Sequence, residues 1–184
     1  MTPPISSDSG HLLLMVRDLF DNAVLWWGLA ACGVAQLSKL AVEFVLHGRW
    51  RPEVLLETGG MPSSHSALMT GTAAGVGWYQ GYQDPLFALA AALAFVVLYD
   101  ASGVRRAAGE TAARVNALAQ GRERSSDVGG AIWEHPLKEN IGHTRLQVLV
   151  GSLIGPLVAL PGLALVGSPL HLAGLLSRVP SPVG

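Results

Sequence analysis

Long charge-free stretches of apolar and small residues occupy much of the chain and indicate where it crosses a membrane. Charged side chains are absent from residues 22–38, 58–83, 85–99 and 146–177. A soluble helix would carry a polar face with a period of 3.6 residues, whereas nearly every position of 86–99 and 146–166 is apolar or small. A spanning helix needs about 20 mainly apolar residues. The pattern therefore predicts spans near 23–46, 66–82, 86–104 and 145–166.

The segments around these spans are predicted to lie outside the membrane core. Residues 1–21 are expected to form an N-terminal tail, since they lack the basic start and long apolar run of a signal peptide. The Ala-rich segment 107–120 favours a surface helix, and 121–135 is expected to be an exposed loop. Pro161-Gly162 is expected to break the last apolar stretch, which leaves 167–177 as a short helix or interfacial segment. The whole chain is then one all-α domain, a polytopic membrane helix bundle with four to five transmembrane or half-spanning helices.

Composition supports a multi-pass integral membrane protein and excludes several other classes. Of the 184 residues, 50% are hydrophobic and 14% are charged, against about 25% charged residues in soluble domains. The 12 Lys and Arg residues nearly balance the 13 Asp and Glu residues, so the chain lacks the basic surplus of a nucleic-acid-binding protein. A single cysteine, Cys32, excludes an intrachain disulfide and a cysteine-based metal cluster.

Positively charged residues are concentrated in the loops at one end of the predicted bundle. Between the first two spans lie Arg49 and Arg51, and between the last two lie Arg105, Arg106, Arg114, Arg122, Arg124 and Lys138. Both loops emerge on the same side, which the positive-inside rule assigns to the cytoplasm. Several of these cations are also candidate site residues, so a role in the site, and not only membrane orientation, can explain why they lie on this side.

Two charged positions lie where membrane physics disfavours them. Lys39 is inside the first apolar segment, and it is either paired with Glu43 four residues later or functional. Asp100 ends the third apolar run, and it either pairs with a following arginine or orients an arginine that grips phosphate oxygens. We favour a role in a site for Asp100, because a carboxylate buried near lipid is costly without one.

The string Gly59-Gly60-Met61-Pro62-Ser63-Ser64-His65-Ser66 predicts a turn followed by a helix start. Pro62 cannot continue a helix from before it, and Ser63 or Ser64 is a natural N-cap. Free backbone N–H groups and the positive end of the helix dipole make such a start an anion site. His65 is well placed there to donate to phosphate or to protonate a leaving group.

A second helix start is predicted just before the last span. Gly142 permits a tight entry and Thr144 is a natural cap, so His143 lies at a helix N-terminus on the same side as His65. Two helix starts, two histidines and several cations on one side predict a phosphoryl-transfer pocket. A histidine nucleophile with a second histidine as acid needs neither a metal nor a cofactor. The remaining histidines are expected at the surface or interface: His11, His47, His135 and His171.

These strings together resemble the divergent branch of the phosphatidic acid phosphatase type 2 superfamily, the group related to acid phosphatases and vanadium-dependent haloperoxidases. The resemblance runs from about residue 36 to residue 155 and includes 59–67, 99–106 and 137–144. It implies that Ser64, with Ser63 beside it, binds phosphate and that His65 is the acid. It also implies that His143 is the nucleophile, which forms a phosphohistidine, and that Lys39 binds phosphate.

The chain departs from the superfamily pattern at three places. The Arg-Pro pair expected seven residues after the lysine comes twelve after it, as Arg51-Pro52, so Arg49, Arg51 and Arg105 remain alternatives for gripping phosphate. Leu137 replaces the arginine expected six residues before the nucleophile, which leaves Lys138 as the nearest cation. Gln147 occupies the place of the carboxylate that orients the nucleophile. A glutamine can fix the imidazole tautomer but cannot stabilise an imidazolium as a carboxylate does. The residues considered as support are Asp100, Glu139, Gln147 and Arg106.

The expected function is hydrolysis of a lipid phosphate or pyrophosphate at the membrane, without metal, through a phosphohistidine. The alternative is a membrane protein that binds a lipid phosphate without turnover, which Gln147 favours. Haloperoxidase chemistry with bound vanadate is unexpected in so small an intramembrane chain, and the absence of an inverted repeat argues against a transporter. Gly71 and Gly75 form a Gly-x-x-x-Gly motif, for which helix packing within the chain is preferred over a homodimer.

Overall fold

The computed structural model describes residues 6–55, 59–123 and 136–176, and these residues form helices and their connections without any β-strand. The described helices are α1 (Ser6–Asp21), α2 (Ala23–His47), α3 (Ser64–Gln80), α4 (Pro85–Ser102), α5 (Val104–Glu123), α6 (Arg145–Leu165) and α7 (Pro169–Leu176), with a 3-10 turn at Pro52–Leu55. The predicted all-α class is confirmed.

Helix α3 lies at the centre of the bundle, against α2, α4 and α6. Its closest backbone contacts are made at glycine and alanine. A Cβ atom added at Gly71 would lie 3.2 Å from the Cβ of Ala31 and 3.2 Å from the carbonyl oxygen of Gly155. One added at Gly155 would lie 2.5 Å from the carbonyl oxygen of Ala67. The helices therefore approach as closely as their backbones allow, as small residues permit in membrane helix packing.

The Gly-x-x-x-Gly motif of α3 packs within the chain, as the sequence predicted. Gly71 faces Ala31 of α2 and Gly155 of α6, and Gly75 faces Val24 of α2 and Leu163 of α6. Both glycines are therefore used for intrachain contacts.

The outer surface of the bundle is apolar. Large side chains of α2, α4 and α6 are more than half exposed, among them Phe44, Val45, Leu89, Phe95, Leu153 and Leu157. Three helical stretches are long and apolar enough to span a membrane: Ala23–His47, Pro85–Ala119 and Arg145–Leu165. The fourth predicted span, 66–82, corresponds to α3, which ends at Gln80. With 17 residues, α3 is about 26 Å long and lies enclosed by the other three helices.

Residues 6–21 of the predicted N-terminal tail form helix α1. Helix α1 contains the run Leu12-Leu13-Leu14-Met15-Val16, whose side chains are exposed. The leucines and the methionine have high helix propensity, which favours this helix. The hydroxyl of Ser168 donates to the carboxylate of Asp21, so the end of α1 is joined to the start of α7.

Three boundaries differ from the prediction. The helix predicted over 86–104 ends at Ser102, and after Gly103 the chain continues as α5 to Glu123. The predicted surface helix 107–120 is therefore longer at both ends, and residues 121–123 of the predicted loop 121–135 are helical. The rest of that loop lies outside the described residues. Pro161-Gly162 does not break α6, because lost helical hydrogen bonds are tolerated in a tightly packed membrane helix.

Helix α6 ends close to Gly167, whose positive φ of 76° suits glycine. The short helix expected within 167–177 is present as α7.

The close contact between α3 and α6 predicts a large difference between two glycine-to-alanine substitutions. Gly155→Ala places a methyl group against the backbone of α3, whereas Gly33 of α2 has nothing within 4 Å of an added Cβ. Overpacking of this kind costs about 1–3 kcal/mol. We expect Gly155→Ala to lower the thermal unfolding temperature of the detergent-solubilised protein and Gly33→Ala to leave it within error. Equal effects of the two substitutions would contradict the described packing.

Candidate functional site

Four separate parts of the chain meet at one end of the bundle. They are the later part of α2, the first turn of α3, the last turn of α4 and the segment before α6, which contribute Lys39, His65, Asp100 and His143. Helices α2 and α4 run towards this end, and α3 and α6 start from it. The expectation that the two histidines lie on the same side is confirmed.

The start of α3 is capped by Ser63, one of the two predicted caps. Its hydroxyl accepts hydrogen bonds from the backbone N–H of Ser66 at 3.3 Å and from the hydroxyl of Ser66 at 2.8 Å. The backbone N–H of Ser63 donates to the carbonyl of Gln147 at 3.1 Å. Ser63 is fully buried, so its hydroxyl is committed to the cap, whereas Ser64 is the first residue of the helix. These bonds join the starts of α3 and α6.

The start of α6 carries a complete capping box. The hydroxyl of Thr144 accepts from the N–H of Gln147 at 3.3 Å, and the amide oxygen of Gln147 accepts from the N–H of Thr144 at 2.8 Å. Before it, Gly142 has a positive φ of 89°, and a Cβ there would collide with the backbone of Arg106. The backbone N–H of His143 donates to the carbonyl of Ala101 at 2.9 Å. His143 is therefore held from both sides by main-chain contacts.

The imidazole of His143 is buried, with 4% of the residue exposed. Its Nδ1 atom has no hydrogen-bond partner among the described residues. Burial lowers the pKa of His143, and the positive charge of Lys39 lowers it further, while the side chain of Gln147 and, more weakly, the carbonyl of Gly60 oppose the shift. The ring is consequently neutral at neutral pH, which is the form that acts as a nucleophile.

His143 and His65 line one cavity of about 180 Å³. Asp100 and Arg105 also line it, and their side chains pair with Arg105 Nε 2.5 Å from Asp100 Oδ2. One wall is apolar and includes Val96 of α4, whose side chain is 62% exposed. The cavity is therefore polar at the histidines and continuous with the outer, apolar face of α4.

Lys39 is almost completely buried, with 2% exposed. Its charge acts on both His65 and His143, which places it beside the cavity. Glu43, the alternative partner from the sequence, pairs with His47 at 3.1 Å and with Arg51 at 3.7 Å.

A second cavity, of about 250 Å³, lies on the α5 side of His143. Its lining is mainly polar and includes Arg106, Glu110, Glu139 and Gln147. Arg106 Nε is 3.0 Å from Glu110 Oε1. Thus Arg105 belongs to the first cavity and Arg106 to the second, with the segment that carries His143 between them.

The two carboxylates considered as replacements for Gln147 have other partners. Asp100 pairs with Arg105, and Glu139 accepts a hydrogen bond from the amide of Asn116 at 2.8 Å. Neither bonds to Nδ1 of His143. Gln147 itself is bound within the capping box.

Of the predicted phosphate-binding residues, Arg105 alone lines one of these two cavities. Arg49, Arg51 and Lys138 are exposed and line neither. Lys39, Ser63 and Ser64 are buried and also line neither. Of the three alternative arginines, only Arg105 lines the cavity that holds both histidines.

His11, His47 and His171 are exposed as expected, and His135 lies outside the described residues. No cluster of three or more His, Cys, Asp or Glu residues within the described ranges is arranged to hold a metal ion.

Sequence reasoning missed Asn116, which is 8% exposed on α5. Its side chain makes three hydrogen bonds to residues 137 and 139, directly before the segment that carries His143. The available signal was an asparagine within an otherwise Ala-rich helix, since asparagine has low helix propensity and needs a compensating contact when buried.

Comparison with known proteins gives one family and one similar relative. The model of the divergent PAP2 family matches residues 20–158. The chain is 37% identical over 150 residues to the uncharacterized membrane protein YuiD of Bacillus subtilis (strain 168), which covers 78% of this chain and 95% of YuiD. No solved structure matches the chain significantly. The range matched by the family model contains Lys39, His65 and His143. The three apolar helices and the similarity to a membrane protein support a membrane protein. The chain belongs to the divergent PAP2 family.

Proposed function

We propose that this protein is a membrane phosphatase that hydrolyses a lipid phosphate or pyrophosphate through a phosphohistidine on His143. The observation that carries the proposal is the cavity shared by His143, His65 and Arg105, with the buried Lys39 beside it. A neutral, buried imidazole next to fixed cations suits attack on an anionic phosphoryl group, because the cations stabilise charge on its equatorial oxygens.

The reaction proceeds in two steps. A ring nitrogen of His143 attacks phosphorus and forms a P–N bond, while the bond from phosphorus to the leaving oxygen breaks and His65 supplies its proton. A water molecule then attacks phosphorus and gives a proton back to His65, the P–N bond breaks, and inorganic phosphate leaves with both imidazoles restored. Lys39, Arg105 and the free N–H groups at the start of α3 bind the phosphate oxygens, and the hydroxyl of Ser64 adds a donor.

A lipid substrate is supported by the apolar wall of the cavity. Val96 and Val97 line it beside His65 and Asp100, and the neighbouring rings of Phe95 and Tyr99 stack on the exposed face of α4. A phosphate head group can bind at the histidines while its hydrocarbon chain remains against this face in the bilayer. The positive-inside rule assigns the site to the cytoplasmic side, because Arg49, Arg51 and the arginines of α5 flank it.

A second candidate function is binding of a lipid phosphate without turnover. The observation favouring it is the unpartnered Nδ1 of His143. A carboxylate on this atom would hold the tautomer and stabilise the developing imidazolium, and the chain offers Gln147 in its place.

Substitution of the two histidines tests turnover directly. Phosphate release is measured in detergent micelles with a chelator present, on phosphatidic acid, phosphatidylglycerophosphate and a polyprenyl pyrophosphate. We expect His143→Ala to abolish release and His65→Ala to lower it by about 10²–10⁴. The control is His171→Ala, which alters an exposed residue away from the cavity. A folded wild-type protein that binds the lipids but releases no phosphate would instead support the binding function.

The pH dependence tests the electrostatic effect of Lys39 on His143. Since burial and Lys39 hold the pKa of His143 below 6.5, kcat/KM should fall on the acid side only below that pH. Lys39→Met removes the cation, so the pKa of His143 rises and the acid limb moves to higher pH, in addition to a loss of rate. Arg17→Met, at the exposed surface of α1, should leave the limb in place. An unchanged limb in Lys39→Met would contradict the proximity of the two groups.

The capping position 147 distinguishes the two candidate functions. Glutamate also completes a capping box, so Gln147→Glu should keep the start of α6 and bring a carboxylate near His143. We expect the pKa of His143 to rise and kcat to increase about tenfold or more if catalysis is limited by the missing charge. The check is single-turnover formation of the phosphohistidine. A protein that forms none with either residue at 147 is a binding protein.

A further inference from the structure

The segment 137–143 lies along α5 and contacts it at successive points. At its start it bonds to Asn116. Further along, a Cβ added at Gly109 would lie 2.6 Å from the carbonyl oxygen of Glu139 and 2.7 Å from that of Ile141. Gly142 then packs on the backbone of Arg106, and the N–H of His143 bonds to Ala101. The position of His143 is therefore set by α5 and by the end of α4.

Asn116 is the polar anchor of this contact. Its amide nitrogen donates to the carbonyl of Leu137 at 2.9 Å and to the carboxylate of Glu139 at 2.8 Å, and its amide oxygen accepts from the N–H of Leu137 at 3.0 Å. All three bonds go to one short segment that is 21 or more residues away along the chain. A buried amide must be hydrogen-bonded, so Asn116 is matched to a single placement of this segment.

We propose that Asn116 is a positioning residue for the site. It docks segment 137–143 on α5, which fixes the ring of His143 between the two cavities and orients the Glu139 carboxylate in the polar cavity. The proposal rests on the proposed function for its catalytic consequence. A displacement of about 1 Å from productive geometry costs about 10²-fold in rate. Asn116 holds the segment at Leu137, six residues before the nucleophile, so loss of its bonds should lower the rate strongly.

The position of Asn116 separates this role from support of the fold. The core of the bundle is the contact of α3 with α2 and α6, and α5 takes no part in it. Loss of the Asn116 bonds should therefore loosen the segment while the bundle stays folded.

The experiment uses the full chain in detergent. It swaps the hydrogen-bond donor and acceptor between positions 116 and 139, where Asn116 donates and Glu139 accepts. Asn116→Asp places two carboxylates in contact and removes both donors. Adding Glu139→Gln restores a donor opposite the new carboxylate and relieves the repulsion. Thr111→Val is the control, because Thr111 is exposed on α5 and its hydroxyl bonds only to Ala107 of the same helix.

Two readouts are taken for each variant. The first is kcat and KM for phosphate release. The second is the rate at which diethylpyrocarbonate modifies His143, followed by mass spectrometry. Trypsin cleaves after Lys138 and Arg145, so the peptide 139–145 contains His143 as its single histidine. The modification rate does not require turnover.

We expect Asn116→Asp to lower kcat about tenfold or more with a smaller change in KM, and to speed the modification of the buried His143 several-fold. The double variant should recover part of both effects, because it restores the bond to residue 139 but not the donor to the carbonyl of Leu137. Thr111→Val should match the wild type. The proposal is overturned if Asn116→Asp leaves the modification rate unchanged, or if the double variant recovers nothing. If no variant has turnover but the modification rates follow the expected order, Asn116 is the anchor of His143 and the proposed phosphatase function fails.

Discussion

The site depends on the close backbone contact between α3 and α6. Gly71 and Gly155 bring the two helices together without intervening side chains, and the N–H of Ser63 bonds to the carbonyl of Gln147 at the end where both helices start. A larger residue in this contact would separate the helix starts, and the histidines they carry would separate with them. The glycine contacts between α3 and α6 therefore set the distance between His65 and His143.

The resulting site places charge at the boundary of an apolar bundle. Lys39 is buried in α2, and Arg105 lines the cavity and is paired with Asp100 at the end of α4. Burial and the charge of Lys39 favour neutral His143. An arriving phosphate dianion would compensate the cations and meet an unprotonated imidazole, which is the arrangement required for nucleophilic attack.

One of the three departures from the superfamily pattern lies at the start of α6. Gln147 completes the capping box with Thr144, a structural task that a glutamate would perform equally well. Glutamine at this position preserves the helix start and leaves Nδ1 of His143 without a carboxylate. Two carboxylates, Glu110 and Glu139, line the polar cavity, and Glu139 accepts a hydrogen bond from Asn116.

The sequence by itself determined the all-α membrane class, a cap at Ser63 or Ser64 and another at Thr144, and the placement of His65 and His143 at one end of the bundle. These features follow from local composition, capping chemistry and the direction of successive helices. It misplaced the boundaries at Gly103 and Pro161, where local preferences oppose one another. Only the tertiary structure decided that Arg105 rather than Arg49 or Arg51 lines the cavity, and that Asn116 holds the segment before His143. Such choices depend on how closely distant elements approach, and that distance is set by the glycine and alanine contacts of the core.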